Sequence, residues 1–155
     1  MTETIYALAL GSNRRGRHGS PAQTVKAAAR AIHATRLSRI RTTPALGPAG
    51  RSFANAAAIV ESKLDPLDLL IELKAIERSF GRRAGRRWGP RILDLDIILW
   101  SEGPFEADGL VIPHPAFRER RFVLEPLAEL VPDWRDPISG RTIRQLRALH
   151  RHPRG

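Results

Sequence analysis

The sequence predicts an α+β fold: a ferredoxin-like βαββαβ antiparallel sheet with helices packed on it, plus a C-terminal helical extension. Three observations point there. Stretches near residues 4–10, 37–42, 53–61 and 93–100 read as strands. Two intervening stretches carry apolar residues at helical spacing. Pro, Gly or a capping residue punctuates the boundaries between them.

The elements follow in order. Thr4 to Leu10 alternates as a strand does, and Gly11 to Ser20, "GSNRRGRHGS", reads as a loop. Ser20-Pro21 opens a helix, with serine as N-cap and proline at the first helical position, where its missing N–H costs nothing. Val25, Ala28, Ala29 and Ile32 form its apolar stripe. Leu37 to Thr42 is a short strand, and "TPALGPAGRS" is a loop leading into the strand from Phe53 to Glu61. Asp65-Pro66 starts a second helix carrying Leu67, Leu70, Leu73, Ile76, Glu77 and Phe80, and Gly81 closes it. The basic loop "GRRAGRRWGP" then feeds the strand ending at Trp100. Helices are expected around Leu124 to Leu130 and from Ile143 to Leu149. No repeat or low-complexity linker divides residues 1–155, so a single domain is expected.

Composition narrows the function. No apolar run approaches the ~18 residues of a membrane span, and the N-terminal apolar run is too short for a signal peptide. A soluble, cytoplasmic protein is expected. With no cysteine, disulfides, thiolate metal sites and thiol nucleophiles are excluded. Lys and Arg number 26 against 16 Asp and Glu, a net charge of +10, and only Lys26, Lys63 and Lys74 are lysines. Guanidinium suits bidentate phosphate contacts, so a phosphate-bearing partner is expected, a nucleotide or a nucleic acid.

The most informative stretch is "RWGPRILDLDIILW", from Arg87 to Trp100. Strand geometry sends Asp94 and Asp96 to one face and Leu93, Leu95, Ile97 and Leu99 to the other. Two adjacent carboxylates resist burial unless arginines or a cation compensate them. An arginine network and a divalent cation both meet that need. The loop after the first strand is weaker evidence: Gly11 to His18, G-x-x-x-x-G-R-H, approximates a phosphate-binding loop but lacks its lysine and its Ser/Thr. Small residues there are expected to let the backbone turn beside a pocket. Arg82, Arg83, Arg86, Arg87 and Trp88 on a glycine-flanked loop have the composition of a lid. Phe53 and Asn55 share a strand face, a ring beside an amide.

Together these segments resemble the 6-hydroxymethyl-7,8-dihydropterin pyrophosphokinase family of folate biosynthesis. The signature "RRWGPRILDLDIIL" carries the resemblance, with "ALGSN", "RTTPALGP", "FANAA", "IERSFGR", "VIPHP" and "RRFVLEPL" in the expected order along nearly the whole chain. The resemblance implies a Mg-dependent enzyme moving the β,γ-pyrophosphoryl group of ATP to the pterin hydroxymethyl group, with AMP released. It implies that Asp94 and Asp96 hold two Mg²⁺ ions. Arg82 and Arg91, with these aspartates, would carry the catalytic step. Lys74, Glu77, Trp88, Arg91, Ile97, His114 and Arg120 would bind ATP. Thr43, Pro44, Leu46, Phe53, Asn55 and Phe122 would bind the pterin, the two phenylalanines by stacking. The implied partners are these two small molecules, with neither nucleic acid nor membrane, and the chain is expected to act as a monomer.

The sequence also departs from the family pattern. Lys74 stands where glutamine is frequent, Gly109 and Val111 replace polar residues, Pro115 replaces a tyrosine, and Phe53 lacks a tyrosine hydroxyl. The rival expectation is an RNA-binding module, since a basic βαββαβ domain is also the RNA-recognition architecture. Its first and third strands here carry small aliphatics, not the basic-aromatic run of that motif.

Overall fold

The computed structural model describes residues 2–43, 52–81 and 92–150. Its strands are β1 (Thr4–Ser12), β2 (Arg36–Leu37), β3 (Arg41–Thr43), β4 (Phe53–Ser62), β5 (Asp94–Trp100), β6 (Phe105–Ala107) and β7 (Leu110–Ile112). The helices are α1 (Pro21–Ala31), α2 (Pro66–Ser79), α3 (Arg121–Leu130) and α4 (Ile143–Leu149). The fold is therefore mixed helix and antiparallel sheet. The main sheet runs β2-β4-β1-β5, with β3 also paired to β4, and every pairing is antiparallel.

Local chemistry sets the helix starts. Ser20 Oγ accepts from the Gln23 N–H at 3.3 Å while Gln23 Oε1 accepts from the Ser20 N–H at 2.8 Å, a reciprocal cap on α1. Asp65 Oδ1 accepts from the Asp68 N–H at 3.0 Å to start α2, and Thr142 with Gln145 repeats the reciprocal cap on α4. The Asp108-Gly109 turn between β6 and β7 has positive φ at both residues, which suits a tight hairpin.

Each face of the sheet is packed. On one, Leu8, Leu10, Ala56, Val60, Leu95 and Ile97 meet Val25 and Ala28 of α1 and Leu69 and Leu73 of α2. On the other, Ala7, Ala57, Ile59, Ile98 and Leu99 meet Val123, Leu124 and Leu127 of α3 and Ile143 and Leu146 of α4. The C-terminal extension is thus the sheet's second cover. This counts against the RNA-binding alternative, because such modules stack bases on a sheet face that α3 and α4 cover in part here.

Three expectations are corrected. β1 runs on through Ser12, because Gly11 and Ser12 still pair with Asn55 and Ala54 of β4. The single strand over 37–42 is two, β2 and β3. Between them Ser38 donates its N–H to Ala57 O and accepts the Ala57 N–H on its Oγ at 2.9 Å, so a side chain replaces a backbone partner in the ladder. Finally, the register between β1 and β5 slips between Ala7 and Leu8, giving β5 one extra residue. Leu93, Leu95 and Ile97 pack under α1 and α2 as alternation demands, but Leu99 joins Ile98 on the opposite face.

Candidate active site

The second face of the sheet is half core and half cavity. Near one end α3 covers Ala7, Ala57 and Leu99. Toward the other end lies a cavity of about 530 Å³. Register places its floor residues. Gly11 of β1 stands opposite both Asn55 of β4 and Asp94 of β5, and Ala9 stands opposite Ala57 and Asp96. Directly opposed residues present their side chains to the same face, so the amide and both carboxylates share one floor.

The walls come from the leading end of β4 and from elements beyond the three central strands. Phe53 leads β4, two residues before Asn55, and Phe122 sits in the first turn of α3. Their exposures are 45% and 51%, unusual for large rings, and both line the cavity. Thr43, at the end of β3, lines it as well. The Arg120 guanidinium lies 5.9 Å from the centre of the Phe122 ring, so one wall pairs an aromatic face with a cation.

His114 completes the acidic end. Its backbone N–H donates to Ile98 O at 3.1 Å, and its Nδ1 accepts the Ala116 N–H at 3.1 Å. An accepting Nδ1 leaves the proton of the neutral ring on Nε2. Burial lowers the His114 pKa, the Asp96 carboxylate opposes that, and the Arg120 cation reinforces it. The pKa of Asp96 is raised, first by burial and next by the charge of Asp94, with His114 opposing. A carboxylate held out of water beside another carboxylate calls for added positive charge.

Eight expected site residues therefore meet in one cavity: Thr43, Phe53, Asn55, Asp94, Asp96, His114, Arg120 and Phe122. Three others do not line it. Glu77 of α2 is 1% exposed, and its Oε2 accepts the Leu95 N–H of the edge strand β5 at 2.7 Å. Lys74 lies beside it, Nζ 3.6 Å from Glu77 Oε1. Ile97 points into the core under α1 and α2, and Ile98 presents its side chain to the cavity in its place. Pro44, Leu46, Arg82, Trp88 and Arg91, and with them the expected lid, lie outside the described residues. Ala9, Gly11, Ser12, Asn13, Ile98 and Val123 line the cavity without having been named as ligand contacts. The "ALGSN" segment signalled the first four, and the slip that turns Ile98 has no sequence mark.

The family model described as 7,8-dihydro-6-hydroxymethylpterin-pyrophosphokinase matches residues 7–132. The chain belongs to this pyrophosphokinase family. Among its relatives, the 2-amino-4-hydroxy-6-hydroxymethyldihydropteridine pyrophosphokinase of Pseudomonas aeruginosa is 42% identical, over 96% of this chain and 92% of that one. The enzyme of the same name from Synechocystis is 45% identical over 74% of this chain, which spans 59% of that longer protein. In Arabidopsis thaliana, a mitochondrial folate synthesis bifunctional protein is 38% identical over 99% of this chain, which accounts for 28% of its length. The fold is shared with solved structures as well. A Plasmodium falciparum HPPK-DHPS, solved with pterin and p-hydroxybenzoate, superposes with a TM-score of 0.74 at 15% identity, covering 97% of this chain and 42% of that one. Pyrophosphokinase family membership thus joins a cavity lined by two half-exposed phenylalanines and two carboxylates. Among the described residues no helix is long and apolar enough to cross a membrane.

Proposed function

We propose that this chain transfers the β,γ-pyrophosphoryl group of ATP to the hydroxymethyl oxygen of 6-hydroxymethyl-7,8-dihydropterin, releasing AMP, as a step of folate biosynthesis. One observation carries the reading: a single cavity gathers two half-exposed phenylalanines and an amide and, beside them, two carboxylates, a histidine and an arginine. A flat heterocycle and a polyphosphate are the two ligands those halves suit.

The chain's own residues divide the work. Phe53 and Phe122 hold the pterin ring between their faces. The Asn55 amide, donor and acceptor at once, meets the ring's polar edge together with Thr43. Arg120 and the Nε2–H of His114 bind phosphate oxygens, and positioning supplies most of the rate enhancement, as phosphoryl transfer requires. Among the described residues no group of three or more His, Cys, Asp or Glu could hold a metal on its own. Two carboxylates fit Mg²⁺, which takes its remaining ligands from water and substrate phosphates. Two Mg²⁺ ions held by Asp94 and Asp96 would neutralise the charge of the triphosphate. Arg82, Arg91 and Trp88, with Pro44 and Leu46, keep the roles that family membership implies. The strand order, with helices α1 and α2 on one face, supports reading the core as ferredoxin-like βαββαβ.

The test is nucleotide analysis after incubation with ATP, Mg²⁺ and the pterin. AMP in step with pterin consumed is expected. ADP as the stoichiometric product, or no pterin-dependent nucleotide, overturns the proposal.

A further inference from the structure

Glycine is unfavourable inside a strand, because it forfeits packing and loses the most conformational freedom on folding. Gly11 nevertheless lies inside β1, paired on both sides: with Asn55 on β4 and with Asp94 on β5. It is not one of the glycines with positive φ, so no turn requires it. Space does. A Cβ built on Gly11 would approach Asn55 Oδ1 to 3.2 Å, tighter than side chains ordinarily tolerate.

The row across the sheet reads Arg41, Asn55, Gly11, Asp94. Strands lie about 4.8 Å apart, so Asn55 and Asp94 project from backbones roughly 10 Å apart with nothing but a glycine between them. All three residues line the cavity. Asn55 belongs to the half that suits the heterocycle and Asp94 to the half that suits the polyphosphate. The gap over Gly11 is therefore where the two ligands must meet.

We infer that Gly11 is a positioning residue: its missing side chain leaves room for the rotamer Asn55 adopts and keeps open the gap in which the hydroxymethyl oxygen reaches the phosphorus. This rests on the function proposed above. A methyl group at this point pushes the Asn55 amide by a few tenths of an ångström, out of register with the pterin edge, and narrows the gap. It does not touch the outer part of the polyphosphate site.

The experiment is Gly11→Ala. Pterin dissociation, measured by calorimetry in the presence of a non-hydrolysable ATP analogue and Mg²⁺, is expected to weaken about tenfold, and kcat to fall about tenfold or more, since sub-ångström misplacement is costly to transfer reactions. The KM for Mg·ATP should stay within twofold. The melting temperature should hold or rise, because alanine restricts the unfolded chain more than glycine does. A merely structural glycine gives the opposite pattern: a lower melting temperature with both KM values raised together. That outcome overturns the inference, and so does unchanged pterin affinity. A double-mutant cycle supplies a second check. With Asn55→Ala in place, adding Gly11→Ala should weaken pterin binding no further, whereas additive losses refute the contact. Wild-type protein runs beside each variant. If it binds no pterin and forms no AMP, the proposed function itself has failed, which the variants alone could not produce.

Discussion

Replacing Asp96 with asparagine separates a functional carboxylate pair from a structural one. The two aspartates are two residues apart on one strand face, so their carboxylates lie roughly 7 Å apart. At that distance like charges repel by about 2.4 kcal/mol at an effective dielectric constant of 20, and by about 0.6 in water. Both residues are partly exposed, so about 1 kcal/mol is the reasonable figure. Asp96→Asn should then stabilise the metal-free protein by about 1 kcal/mol at pH 7, a rise of roughly 2–4 °C in melting temperature for a chain of this size. The sign with pH follows from the raised pKa of Asp96. The folded protein takes up that proton more readily than the unfolded chain. The penalty is therefore absent in acid, below the ordinary aspartate range, and sets in as pH rises through the raised value. The advantage of the variant should accordingly vanish at acid pH. Thermal melts in EDTA at several pH values give the result, alongside the AMP assay, where the variant should be inactive. Adding Mg²⁺ with an ATP analogue should raise the melting temperature of the wild type and not that of the variant. A variant that melts several degrees lower than wild type in EDTA would refute the reasoning, since the carboxylate would then be holding the fold together.

Other parts of the structure make independent predictions. Burial opposes the charge of Asp136, yet hydrogen bonds from Arg118, Ser139 and the Ile138 N–H outweigh it and bring the carboxyl to about 2. Its stabilisation is complete above the ordinary aspartate pKa and is lost as pH falls through about 2. Asp136→Asn should cost about 3 kcal/mol in urea melts at pH 7, because it strands a guanidinium, and an unaltered midpoint would deny the pair any structural role. Thr24 Oγ1 is buried with no hydrogen-bond partner among the described residues, so Thr24→Val should stabilise by about 1 kcal/mol, and destabilisation would show that the hydroxyl is satisfied. Glu77→Ala should destabilise by about 2 kcal/mol by orphaning the Leu95 N–H, while Glu77→Gln keeps an acceptor and most of the stability; equal losses in the two variants would remove the hydrogen bond from the account.

What the sequence disclosed divides by the range of the physics involved. Helix starts depend on three or four neighbouring residues, so Ser20-Pro21 and Asp65-Pro66 marked α1 and α2 where they begin. The period of two put Asp94 and Asp96 on one face, and Phe53 with Asn55 on another strand's share of that face. The misses all need a partner strand. The slip that turns Ile98 toward the cavity depends on how β5 meets β1, and nothing in "DIILW" announces it. Ser38 interrupts a strand because Ala57 lies across from it, a fact with no local trace. The resemblance assigned Glu77 to ATP, and in the sequence it stands among the apolar residues of the second helix. Its burial makes sense only once β5 is known to be the sheet edge, with an N–H in need of an acceptor. Gly11 invited the reading of a turn, because a glycine kept for empty space looks the same in sequence as one kept for its φ.

β5 shows how one strand carries two incompatible demands. Leu93, Leu95 and Ile97 are each nearly removed from solvent on the face under α1 and α2. Burying a side chain of that size is worth about 2 kcal/mol, so the three contribute roughly 6 kcal/mol. The opposite face carries a repulsion of about 1 kcal/mol between Asp94 and Asp96. The first term exceeds the second several-fold, so the strand stays in place while holding two carboxylates where apolar residues would be more stable. Period-two alternation is what keeps the two terms apart, and a one-residue shift of β5 would put the aspartates under the helices and the leucines in the cavity. The register is pinned on both sides of the pair. Glu77 holds the Leu95 N–H from the outer edge, and Gly11 and Ala9 of β1 meet Asp94 and Asp96 from within. The slip lies beyond Ile97, past the last aspartate, where a change of phase costs the site nothing and adds Ile98 and Leu99 to the second core. Stability on this strand comes from the face that does no chemistry, which is why its other face can be given over to charge.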